Sequence, residues 1–190
     1  MPAEPAYTRL MLPPALMTAD ELLHVHLPDK QVELVRGVLM VRELPNYRHG
    51  QVMARLSNAL LTYAGAHDLG DVLAGDSGFK LESDPDTVRG PDVAFIRRER
   101  VPHPAPVGFA AFAPDLVVEV LSPNDRPGEV LAKVADWLSA GTLLVWVIDP
   151  ERRTARVYRA DGSQTLVAVD GALTGEDVLP GFNCSLASIL

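Results

Sequence analysis

With 190 residues, 47% hydrophobic and 22% charged, the chain has ordinary globular composition and is long enough to bury a core. A formal net charge of -8 excludes a plain nucleic-acid coat protein, because phosphate neutralisation supplies most of such a protein's affinity; it leaves open an acidic centre neutralised by bound cations. The single cysteine, Cys184, cannot form an internal disulfide and fits a reducing cytoplasm, and the longest apolar stretch, Leu143 to Ile148, is far too short to span a bilayer.

The first fourteen residues are rich in Pro and Ala but lack a basic start and a continuous apolar stretch. Residues 1–15 therefore read as a loose arm rather than a signal peptide, with 16–190 as one domain. Thr18-Ala19-Asp20-Glu21 is a capping box that predicts a short helix to about Leu27, ended by Pro28-Asp29. The apolar runs 32–36 and 38–42 surround Gly37 and predict a hairpin. From Arg48 to about His67, Val52, Leu56, Ala59, Leu60 and Tyr63 recur at helical spacing and predict the first long helix. Strands are expected at 71–74 and 79–82, a turn at 84–87, a strand at Asp92 and a Pro/Ala-rich loop over 102–114.

A strand through Glu119 follows, then the turn Ser122-Pro123-Asn124-Asp125 and a second long helix, about Pro127 to Ala140, closed by Gly141. Leu143 to Ile148 reads as a buried strand, and 153–159 with 164–169 flank Asp161-Gly162 as a second hairpin. The last twenty residues read as a closing loop with a short apolar tail. Strand, helix and strand from 115 to 148 form a crossover unit, so part of the sheet is parallel, while the hairpins make the whole mixed: an α/β fold of mixed α+β type.

Two acids stand out against this frame. Asp92 and Glu119 lie in Val/Ile-rich runs of interior character, where an unpaired carboxylate costs several kcal/mol. Alternation along a strand sets Asp92 with Ala94 and Ile96, and Glu119 with Val117 and Leu121. One use for such acids is to hold a cation; the other is a structural pair with an arginine such as Arg89 or Arg48. Lys133 borders an apolar arc of Val130, Leu131, Val134, Ala135 and Leu138, and from the helix alone it reads as an exposed partner of Glu129, four residues earlier. His49, near a helix start, suits either a structural role or a phosphate contact. His24, His26, His67 and His103 lack zinc-ligand spacing, no Gly-rich phosphate loop is present, and Ser122 has no nucleophile-elbow context.

Taken in order, Glu33-Leu34-Val35-x-Gly37, Arg48-His49-Gly50, Pro91-Asp92-Val93-Ala94-Phe95, the run from Pro114 to Pro123, Lys133, Gly141 and Trp146-Val147-Ile148-Asp149-Pro150 resemble the Uma2 family. That family, also called DUF820, belongs to the PD-(D/E)XK nuclease superfamily, and the resemblance covers roughly residues 16 to 185. It implies a restriction-endonuclease-like mixed β-sheet flanked by helices, with metal-binding acids on adjacent central strands. It also implies a Mg2+- or Mn2+-dependent endonuclease acting on nucleic acid, DNA before RNA. Asp92 matches the aspartate of the superfamily's Pro-Asp element and Glu119 its second acid, while Glu33 matches an early glutamate that would complete the metal shell. The superfamily lysine normally lies two residues past the second acid, where this chain has Leu121; Lys133, on the following helix, is the candidate in its stead. Leu144-Val145 stand where relatives often have Glu-Tyr, and Trp137 replaces a frequent tyrosine. Exposed strand edges and the Trp137/Trp146 region are the expected surface for a homodimer. Two other readings stand beside this one: a nuclease-fold protein that binds or assembles without turnover, and an unrelated structural protein whose acids pair with Arg89, Arg48 or Lys133.

Overall fold

The computed structural model describes residues 15–190, so the arm expected over 1–15 lies outside it except for its last residue. The capping box forms as its chemistry requires: the Glu21 N–H donates to Thr18 Oγ1 (3.2 Å) and the Thr18 N–H to Glu21 Oε2 (2.8 Å). The helix it starts, α1 (Ala19–Leu22), is much shorter than predicted. His24 and Val25 bond to carbonyls three residues back, and that tighter winding ends the α-helix.

The predicted hairpin is β1 (Lys30–Val35) with β2 (Val38–Glu43), and Asn46 caps α2 (Tyr47–Ala66) through the His49 N–H at 2.9 Å. Next come β3 (Gly70–Ala74), β4 (Phe79–Glu82), β5 (Thr87–Arg89) and β6 (Val93–Arg97). Then β7 (Leu116–Val120), α3 (Pro127–Ser139) and β8 (Leu144–Asp149) make the crossover unit, with β7 and β8 parallel. The second hairpin is β9 (Thr154–Arg159) with β10 (Gln164–Val167). The tail is more ordered than a loop: β11 (Ala172–Thr174) pairs with β12 (Asn183–Ser185), and α4 (Leu186–Ile189) follows.

The strands divide into more than the one sheet expected. A six-stranded mixed sheet runs β10-β9-β8-β7-β6-β3, a four-stranded antiparallel sheet runs β2-β1-β5-β4, and β11-β12 stand apart. The four-stranded sheet exists because of β5, three buried residues whose first falls in the expected turn; so short a run shows no alternation to detect.

Side-chain parity then sorts the core. Val93, Phe95, Leu116, Val118, Trp146 and Ile148 face α2 and the C-terminal segment. Ala94, Ile96, Val117, Val145 and Val147 face α3, meeting Val134, Trp137 and Phe79. Both faces of the central strands are covered, which is why they read as continuous apolar runs; each large side chain so buried contributes roughly 1.5–3 kcal/mol. Trp137 and Trp146 are fully buried, Trp146 stacking on Phe182 at 5.9 Å, so neither offers the dimer surface expected of them. Among the described residues no helix is long and apolar enough to cross a membrane.

Candidate active site

Antiparallel register brings the two acids together. Val93 pairs with Val118 and Ala94 with Val117, so Asp92, one residue before β6, stands opposite Glu119 on β7 and shares its face. That face looks toward α3. Lys133 and Trp137, four residues apart and so on one side of α3, each take one oxygen of Glu119: the ammonium meets Oε2 at 2.9 Å and the indole N–H donates to Oε1 at 2.8 Å. Asp92 is held from two other directions, Oδ2 accepting the Val120 N–H (2.5 Å) and Oδ1 lying 3.1 Å from His49 Nε2. His49 is brought by the first turn of α2, and its Nδ1 is buried without a hydrogen-bond partner among the described residues.

Glu33 reaches the same place from β1. Its Oε1 accepts from the Gly90 N–H (3.0 Å) and lies 3.0 Å from Lys133 Nζ, and its Oε2 accepts from Arg89 Nη1 (2.8 Å), with Arg42 Nε at 3.5 Å. Lys133 also donates to the Gly90 carbonyl at 2.8 Å, so its ammonium lies within 3.0 Å of three oxygens. Arg89 turns its other nitrogens to Asp136 of α3, at 2.6 and 3.0 Å.

The electrostatics follow from this packing. Burial pushes the Glu33 carboxyl up, but Lys133, Arg89 and Arg42 outweigh it and draw it down to about 2. Glu119 lies well above the usual carboxylate range, first through burial and then through the charges of Asp92 and Glu33, with Lys133 opposing. Burial disfavours the charged form of Lys133, yet Glu119, Glu33 and Asp92 together hold it protonated. For His49 burial is likewise overcome, by the hydrogen bond and charge of Asp92.

These groups line a cavity of about 580 Å³ between β1–β2, the start of α2 and the connection from β7 into α3. A second cavity, of about 660 Å³ beside β3, is lined by residues such as Leu61, Phe79 and Phe112 and holds none of them. Chemistry, not size, selects the first.

Sequence reasoning missed one member of the cavity. Asp76, in the connection from β3 to β4, has a left-handed φ of 60° and accepts the Gln31 amide at 2.5 Å. Among the described residues no cation lies within ion-pair distance of it. Asp76 is an exposed residue, and partial burial of its carboxyl, then the charge of Asp92, raises it to about 6, with Lys133 opposing. Its backbone packs against Gly90, where a Cβ would stand 3.1 Å from the Asp76 carbonyl oxygen. The only sequence signal is Gly75-Asp76-Ser77-Gly78, which marks a turn but says nothing of an acid site.

Asp92, Glu119, Lys133 and Glu33 thus come together from four elements. The arginines considered as partners of Glu119 do not reach it: Arg48 bonds Gln51, and Arg89 bonds Glu33 and Asp136. Lys133 is buried rather than paired with Glu129, which lies 3.6 Å from Arg126. Among the described residues no group of three or more His, Cys, Asp or Glu is arranged to hold a metal ion. Two carboxylates on one face suffice for Mg2+, which is commonly bound by one or two carboxylates with water and phosphate completing the shell; the Asp92–Glu119 donor set fits it.

A sequence model of the Uma2 family, described as "Putative restriction endonuclease", matches residues 19–187. A solved structure described as "a putative nuclease belonging to DUF820", from Anabaena variabilis ATCC 29413, has the same fold. It superposes with a TM-score of 0.80 over 91% of this chain and 97% of that chain, at 19% sequence identity. No curated protein matches the chain.

Proposed function

Because this chain belongs to the Uma2 family, we propose that it is a divalent-metal-dependent endonuclease that hydrolyses phosphodiester bonds of nucleic acid, DNA in the first instance, in the cytoplasm. The observation that carries the reading is the convergence of Lys133 from α3 on the Asp92–Glu119 pair, inside a cavity and on a buried face that the two carboxylates share. Strongly perturbed groups gathered in a cleft are what catalysis requires and what stability alone does not favour.

In this reading Asp92 and Glu119 hold Mg2+ or Mn2+. A bound divalent ion supplies positive charge to the phosphodiester and acidifies water. The remaining roles fall to protein groups. The Val120 N–H and His49 aim Asp92, the Trp137 indole aims Glu119, and the Lys133 ammonium stabilises negative charge developing on phosphate. A chain of net charge -8 must bind its polyanion locally, and Arg42 and Arg126 line the cavity for that purpose.

Asp92→Asn and Glu119→Gln are expected to abolish both Mn2+ binding, followed by electron paramagnetic resonance, and cleavage of DNA, with an unchanged circular-dichroism spectrum. Undiminished cleavage in either variant overturns the assignment. A second reading, a nuclease-fold protein that binds nucleic acid without turnover, draws on one observation: the Lys133 ammonium already lies within 3.0 Å of three protein oxygens. Saturable Mn2+ binding with no cleavage of any DNA or RNA would select it.

A further inference from the structure

A lysine placed two residues past the second acid, on the strand itself, would share that acid's face by alternation alone. Leu121 occupies that place here, and the ammonium comes instead from α3, on a flexible side chain that loses up to about 2 kcal/mol of rotamer freedom when fixed. Something must hold it. Glu33 is placed to do so, from the opposite wall of the cavity.

A carboxylate offers about four lone-pair sites. At Glu33 two are taken by hydrogen bonds, from the Gly90 N–H to Oε1 and from Arg89 Nη1 to Oε2, and two further cations press on the same oxygens, Lys133 Nζ 3.0 Å from Oε1 and Arg42 Nε 3.5 Å from Oε2. A divalent ion directed to Glu33 would enter among three cationic side chains, which repel it. We therefore infer that Glu33 is a positioning residue for Lys133 and not a cation ligand, with the four-stranded sheet serving as the mount from which the helix-borne lysine is gripped. The inference deepens the nuclease reading above and rests on it for its catalytic meaning.

The grip has two points. Glu33 on β1 holds Lys133, and Arg89 on the neighbouring β5 holds Asp136, three residues further along α3, while also bonding Glu33. Of the three oxygens around the Lys133 ammonium, the Gly90 carbonyl and Glu33 Oε1 both belong to this mount. The contact with the third, on Glu119, is the one that can be exchanged for a phosphate oxygen.

The chain has three lysines, Lys30, Lys80 and Lys133, so the Lys133 ammonium can be followed by nitrogen-15 NMR and assigned by its absence from Lys133→Met. In the full-length protein a slowly exchanging ammonium signal is expected. Glu33→Gln is expected to speed that exchange by about tenfold or more, the scale of one lost buried ion pair, while Mn2+ affinity stays within about twofold. On cleavage, kcat falls with KM unchanged, and Glu33→Asp recovers part of it. A folded Glu33→Gln protein that loses Mn2+ binding while keeping the slow ammonium signal overturns the inference. If Glu33→Gln does not fold, Glu33→Asp, which keeps the charge facing Arg89 and Arg42, takes its place: faster ammonium exchange with Mn2+ affinity kept supports the inference, and lost Mn2+ binding with slow exchange kept overturns it. A wild type that binds no Mn2+ sinks the metal reading by itself; the ammonium signal then still decides whether Glu33 holds Lys133.

Discussion

The two acids of the cavity are held in opposite ways. Asp92 owes its position to strand register and needs only a backbone N–H and one histidine to fix its oxygens. Glu119 starts from the same register but is joined by long side chains from three further elements, a network of Lys133, Glu33, Arg89 and Asp136 that ties α3 to the four-stranded sheet. Register is built into the backbone and positions a short side chain without further help. A lysine carried by a helix has no such guide, so a second set of charges has to aim it.

The comparison breaks first at Arg89. Removing its guanidinium in Arg89→Ala leaves Glu33 and Asp136 without their shared cation in a buried place, and is expected to cost about 3–5 kcal/mol in chemical denaturation. A loss below about 1 kcal/mol would show that the network is not what joins α3 to the sheet.

Acid is the next lever, and it acts on the network half. In the folded chain the Glu33 carboxyl lies at about 2, against 4.5 for the free group, so between those values the unfolded chain binds more protons. Its stabilising contribution, about 3 kcal/mol, is complete above roughly pH 4.5 and is lost as pH falls toward 2. Glu33→Gln is expected to lower stability at neutral pH and to flatten its fall over that window. Parallel acid curves for the two proteins would contradict the ion pairs of Glu33 with Lys133 and Arg89.

The smallest effect belongs to Asp76, on the side of Asp92. Its carboxyl sits at about 6, above the ordinary 3.8, so the folded chain binds more protons in between and loses stability as pH rises through that range. Asp76→Asn removes the loss: thermal midpoints should match the wild type near pH 4 and slightly exceed it at pH 7. A lower midpoint at pH 7 would mean that the ionised form has a partner.

Much of the fold was legible because its signals are local. The capping box at Thr18, the spacing of Val52, Leu56 and Leu60, the glycine at 141 and the doubly apolar runs of β7 and β8 each imply an element without reference to the rest. Lys133 shows where such reading falters. The helical wheel sets it at the border of an arc through Leu131 and Ala135, yet Leu131 is 53% exposed and the inward stripe is Val130, Lys133, Val134 and Trp137. That stripe has the spacing of a core-facing helix with a lysine in an apolar place, a pattern the four residues do contain. The capping-box helix differs in length and the tryptophan pair in exposure, because winding at a helix end and the covering of a sheet face depend on what packs there.

The sequence by itself determined the class of fold, the strand that Asp92 precedes, the strand that carries Glu119 and, through the order of its motifs, the family, since strand periodicity and motif order are properties of the chain alone. Only the tertiary structure decided that the N-terminal hairpin builds a separate sheet, that Glu33 faces Lys133 across the cavity, and that Asp76 and His49 join the acids. Those relations link residues that lie tens of positions apart, and they are set by which surfaces bury one another and which charges must be satisfied once buried. No local pattern encodes that.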